Sequence, residues 1–109
     1  MKQALLSIDL GTTSVKVAAF APDGALYQQL TRRHTDQCRG ERTWQDANSW
    51  WADVAGLIRE LLAGTTPWEI LGVSLSGRGG AAVFTDARGK VLAHPWSDAR
   101  HHAESHQLY

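Results

Sequence analysis

The chain has almost no cysteine, no net charge and no long apolar run, and each shortage narrows what it can be. Cys38 is the only cysteine in 109 residues, so neither an intrachain disulfide nor a cysteine metal cluster can form. Eleven acidic and eleven basic side chains cancel, which removes any electrostatic argument for nucleic acid or an anionic membrane as partner. No apolar stretch is long enough to span a bilayer. Met1-Lys2-Gln3 leads straight into a short strand rather than into the apolar segment of a signal peptide. Internal repeats and low-complexity tracts are absent too. These absences leave a soluble, cytoplasmic globular chain as the expectation. What is present is 43% hydrophobic residues over one domain's length, enough for a core of modest size.

Hydrophobic spacing predicts strands over 4–9 and 15–21. Pro22-Asp23-Gly24 supplies a turn, and a third strand runs from Ala25 to Arg33. Together they make an antiparallel meander over 4–33. The polar segment from His34 to Thr43 reads as loop. Asp46 is a helix N-cap candidate, because its carboxylate can accept from the orphan amides of a first turn. Trp50, Val54, Leu57, Ile58, Leu61 and Leu62 recur at helical spacing, and Gly64 suits a left-handed cap, so a helix is expected over 46–63. The Trp50-Trp51 pair is expected in the core with these leucines. Ile70 to Ser76 reads as a buried strand parallel to the first, a hairpin follows over 81–93 around Asp86-Ala87-Arg88-Gly89, and a helix begins over 98–109.

The run Asp9-x-Gly11-Thr12-Thr13-Ser14-x-Lys16 carries the chemistry. Asp-x-Gly also serves ordinary hairpin turns. Here, however, an aspartate ends one strand, a glycine and three hydroxyl residues make the turn, and a lysine opens the next strand. Gly11 lets backbone approach an anion, turn amides and the hydroxyls of Thr12, Thr13 and Ser14 offer donors, and Lys16 supplies positive charge. Asp9 offers a hard oxygen to magnesium or its waters. The run is not a Walker A loop, since its spacing differs and a strand, not a helix, follows. His101, His102 and His106 invite a metal reading, because His102 and His106 lie one helical turn apart, but two imidazoles have no convincing third ligand for zinc.

This run resembles the first phosphate motif of the actin, sugar-kinase and heat-shock-chaperone ATPase superfamily. The predicted order β-β-β-α-β plus a hairpin agrees with the ribonuclease-H-like α/β core of that superfamily. Three further matches, in order, are similar to FGGY-type carbohydrate kinases such as xylulose and glycerol kinases: Trp44-Gln45-Asp46 with Trp50-Trp51, the strand Leu71 to Gly77 with the hairpin Ala82 to Gly89, and Trp96-x-Asp98-x-Arg100. The resemblance implies transfer of the γ-phosphate of MgATP to a hydroxyl of a sugar, ketose or polyol. It implies that Asp9 positions magnesium and that Gly11, Thr12, Thr13, Ser14 and Lys16 hold phosphates. It further implies that Arg78, Gly79, Gly80, Trp96, Asp98 and Arg100 face the sugar. Trp96 is equally suited to covering the hairpin, and Asp98 to capping a helix.

Two departures from the family stand out. Arg78-Gly79-Gly80 replaces the glutamine-methionine-histidine of many xylulose kinases, and it lacks the arginine-glutamate pair of glycerol kinases. Family members are also several times longer, so the resemblance places the catalytic base beyond Tyr109 and none in this chain. The expectation is therefore an incomplete domain that does not turn over alone and self-associates through an uncovered sheet face. The competing reading is a non-catalytic module of the same fold that binds a ligand or partner.

Overall fold

The computed structural model describes residues 1–77 and 82–95. In chain order the elements are β1 (Lys2–Leu10), β2 (Ser14–Phe20), β3 (Leu26–Arg33), β4 (Asp36–Arg39), β5 (Arg42–Gln45), α1 (Ala47–Leu62), β6 (Trp68–Gly77), β7 (Phe84–Thr85) and β8 (Val91–Ala93). The described residues fall into two compact units, 1–34 with 49–77 and 35–48 with 82–95.

The first unit holds a four-stranded sheet in the order β3-β2-β1-β6. β1, β2 and β3 form an antiparallel meander, and β6 returns parallel to β1 after the helix. Alternation along the strands selects one face for burial. Ala4 and Leu6 of β1 join Val15, Val17 and Ala19 of β2, with Leu57 and Leu61 of α1 closing over them. The two leucines lie one turn apart on the stripe that also carries Val54, so burying this stripe rather than intrinsic propensity holds the helix. Each buried leucine contributes roughly 1.5–3 kcal/mol.

Local chemistry sets where the elements stop. Asp23-Gly24 turns β2 into β3: Gly24 takes φ 94°, its amide donates to Ala21 O at 2.9 Å, and Asp23 Oδ1 accepts from the Ala25 amide at 3.0 Å. Asp86 and Gly89 repeat the device between β7 and β8, where Asp86 Oδ1 accepts from the amides of Arg88 and Lys90, each at 2.9 Å. Asp46 caps α1 as expected, its Oδ1 accepting from the Asn48 amide at 2.9 Å, and Gly64 follows the helix at φ 109°.

Side chains also tie the first unit together at its rim. The Lys2 ammonium sits 4.0 Å from the centroid of the Tyr27 ring and 5.2 Å from that of Trp68, while the two rings meet edge-on at 5.9 Å. Arg32 of β3 reaches the helix, placing Nη1 3.2 Å from Asp53 Oδ1. A Cβ at Gly56 would lie 3.2 Å from the same nitrogen, so the glycine leaves room for the guanidinium.

Three expectations need correction. The segment from His34 to Thr43 is not a loop throughout, because β4 and β5 pair antiparallel across it from Asp36↔Gln45 to Arg39↔Arg42. Polarity misled here: all four residues of β4 are exposed, and a strand exposed on both faces has no alternation to read. Cys38 is accordingly an exposed strand residue. Trp51 is not in the core; it is 75% exposed while Trp50 is buried, since neighbours on a helix point about 100° apart. Finally, β6 is an edge strand rather than a buried one, with Val73 and Leu75 mostly exposed. Residues 98–109, expected to begin a helix, lie outside the described residues.

In the second unit, Gln45 is the buried polar residue, and its bonds account for it. Its side-chain amide donates to Asp36 Oδ1 at 3.0 Å, and its backbone amide donates to Pro95 O at 3.0 Å. His94 Nδ1 accepts from the Ala47 amide at 3.0 Å, which satisfies a second orphan donor at the start of α1.

Candidate functional site

The candidate site lies where the parallel strands β1 and β6 end together. Leu10 and Gly77 are paired there, and ligands of open α/β sheets bind outside such carboxyl ends. Leu6, Ile8 and Leu10 belong to the helix side of β1, so alternation turns Asp9 to the opposite face. Lys16 lies directly across from Asp9 on β2, and Ser76 directly across on β6. The Ser76 hydroxyl donates to Asp9 Oδ1 at 3.1 Å. Among the described residues no ion pair joins Asp9 to Lys16, and Lys16 is exposed. One carboxylate is thus held from the side, with a cation beside it that is not consumed by neutralising it.

The reversal between β1 and β2 is tight. The Gly11 amide donates to Ser14 O at 2.9 Å, leaving Thr12 and Thr13 exposed at the tip. A Cβ at Gly11 would stand 3.0 Å from that same Ser14 oxygen. Glycine therefore has a reason beyond anion approach: the strands close on each other there. None of the loop's non-glycine residues takes a positive φ.

Sequence reasoning missed His34, the residue immediately after β3. Its amide donates to Thr13 O at 2.9 Å, and its ring Nε2 lies 2.9 Å from Gly11 O. A carbonyl can only accept, so Nε2 carries the ring proton. The ring leans on Trp50 at a centroid distance of 5.9 Å, and its Nδ1 is buried without a partner. Nothing in the residue type signalled this; only the register of β3 against β2 brings His34 beside the loop.

A magnesium ion takes one or two carboxylates, phosphate oxygens and several waters, and dispenses with an all-protein cage. The Asp9 carboxylate, held by the Ser76 hydroxyl, fits the protein's share of that donor set, whereas the Lys16 ammonium suits phosphate oxygens rather than the ion. Among the described residues no group of three or more histidine, cysteine, aspartate or glutamate side chains gathers to hold a metal ion. No helix among them is long and apolar enough to cross a membrane. The expected sugar-facing residues Arg78, Gly79, Gly80, Trp96, Asp98 and Arg100 all lie outside the described residues.

Comparison with known proteins bears on the family and the fold. A xylulose kinase of Staphylococcus epidermidis is 28% identical over 113 residues, covering 99% of this chain but 23% of that protein. The solved xylulose kinase from Rhodospirillum rubrum superposes with a TM-score of 0.84 at 25% identity, over 96% of this chain and 22% of its own. The Plasmodium falciparum glycerol kinase solved with ADP shares the fold, with a TM-score of 0.84 at 18% identity, over 98% of this chain and 23% of its own. The chain thus spans less than a quarter of the length of these relatives. The family model of the N-terminal domain of FGGY carbohydrate kinases matches residues 4–109, and the chain belongs to that family.

Proposed function

We propose that this chain forms the phosphate-holding part of a cytoplasmic ATP-dependent carbohydrate kinase, which transfers the γ-phosphate of MgATP to a hydroxyl of a sugar, ketose or polyol. The observation that carries the reading is Asp9, placed at the carboxyl end of β1, bonded by Ser76 and flanked by Lys16. In this reading Asp9 orients magnesium through its waters. Gly11, Thr12, Thr13, Ser14 and Lys16 hold phosphate oxygens, and Arg78, Gly79, Gly80, Trp96, Asp98 and Arg100 meet the sugar. Magnesium supplies neutralisation of the phosphate charge; the residues supply position, which is most of what phosphoryl transfer asks of a protein. The general base comes from elsewhere, so these 109 residues alone do not turn over.

The test is transfer of phosphate from ATP across a panel of ketoses and polyols, for this chain beside any longer product of the same gene. Turnover by the longer product alone supports the reading and names the sugar. Turnover by these residues alone would overturn the assignment of the base elsewhere. Turnover by neither would favour the alternative, a ligand- or partner-binding module of the same fold.

A further inference from the structure

Two loop carbonyls, those of Gly11 and Thr13, are held by one residue that contributes nothing to the face where Asp9 and Lys16 lie. His34 donates its backbone amide to Thr13 O and its ring Nε2–H to Gly11 O, each at 2.9 Å. The peptide group is planar and trans, so its C=O and N–H point in opposite directions. Fixing the Gly11 carbonyl therefore fixes the direction of the Thr12 amide, and fixing the Thr13 carbonyl does the same for the Ser14 amide. The ring cannot swing away easily, because buried Trp50 of α1 lies against it.

We infer that His34 is a positioning residue for phosphate: a strut behind the loop that presets the Thr12 and Ser14 amides for an anion without touching it. The inference rests on the phosphate reading of the loop. Preorganisation of this kind acts by removing the ordering cost that binding would otherwise incur. A tip of two exposed threonines would be expected to flex in isolation; tied at both flanking carbonyls, it does not have to be ordered by the ligand.

The experiment uses the 109-residue chain, magnesium tripolyphosphate as probe, and backbone amide NMR of residues 11–16. His34→Phe keeps a ring against Trp50 and deletes the donor, whereas His34→Gln keeps an N–H donor at the position of Nε2. Wild type and His34→Gln are expected to bind alike. His34→Phe should bind about fivefold more weakly, the value of roughly one net hydrogen bond, with faster amide exchange at Thr12 to Ser14 and unchanged exchange in β1 and β6. Equal affinity for His34→Phe and wild type would overturn the inference alone, as would His34→Gln binding as poorly as His34→Phe. Failure of the wild-type loop amides to respond to the probe would instead overturn the phosphate reading, and the strut with it. Should His34→Phe not fold, the wild-type ring decides: Nε2 must carry a proton that exchanges slowly, and a ring protonated on Nδ1 alone would refute the bond to Gly11 O.

Discussion

Replacing Gly11 with alanine separates the shape of the loop from its stability. The new Cβ would sit 3.0 Å from Ser14 O, the carbonyl that accepts the residue's own amide at 2.9 Å. Gly11 is not among the glycines with positive φ, so alanine can take its backbone conformation and the conflict is steric alone. Relief requires the two strand ends to part by a few tenths of an ångström, which weakens a hydrogen bond with a net worth of about 0.5–1.5 kcal/mol. Against this, alanine restricts the unfolded chain and returns about 0.4–1 kcal/mol. The two nearly cancel, so global stability should change by less than about 1 kcal/mol. With a urea slope of roughly 1–3 kcal/mol per molar, the midpoint should move by well under about 1 M. The loop amides, however, move where an anion would meet them, and a hydrogen bond to a charged group is worth about 1.5–3 kcal/mol. Affinity for magnesium tripolyphosphate should therefore fall by about tenfold or more. Urea unfolding followed by tryptophan fluorescence, beside a titration with the probe, reads both quantities. A midpoint lowered by about 2 M or more would show that the clash cannot relax locally. Unchanged midpoint and unchanged affinity would show that the closed tip has no bearing on anion binding.

Other substitutions test the scaffold. Leu61→Ala removes a side chain 2% exposed at the centre of the core and should cost about 2–5 kcal/mol in urea unfolding. Gly56→Ala should leave stability unchanged or raise it by up to about 1 kcal/mol, because the group in its way is the movable end of Arg32 and helix propensity favours alanine; a loss of more than that in thermal unfolding would mean Arg32 cannot yield. Val73 and Leu75 leave an apolar stretch on the edge strand β6, so the chain should self-associate with rising concentration. Light scattering checks this, with Leu75→Lys expected to shift the mass toward monomer; a wild-type mass that stays monomeric at high concentration would count against it.

The parts legible in the sequence are those where one face is buried and the other is not. Val15 and Val17 are buried on either side of exposed Lys16, and that alternation orients Asp9 and Lys16 away from the helix, although Ala18 is buried as well. α1 was legible because Asp46 and the spacing of Leu57 and Leu61 agree. β4 and β5 were not: every residue of β4 is exposed, β5 buries only Gln45, and Gly40 at φ 62° is the one local hint of reversal. β6 misled in the opposite direction. Leu71, Val73 and Leu75 have the pattern of a covered strand, but sequence cannot say whether anything lies over them. His34 illustrates a third kind of failure. Its partners are carbonyls brought near by strand register, and carbonyls are common to every residue.

The clamp of Tyr27 and Trp68 around Lys2 gives the molecule a built-in reference for chemical footprinting. The chain has three lysines, Lys2, Lys16 and Lys90. Lys2 already faces aromatic rings at the far end of β1 from the loop, and Lys90 is exposed in a hairpin of the second unit. An amine-directed reagent applied with and without a phosphate ligand would report occupancy through Lys16, while the other two lysines calibrate the dose within the same polypeptide.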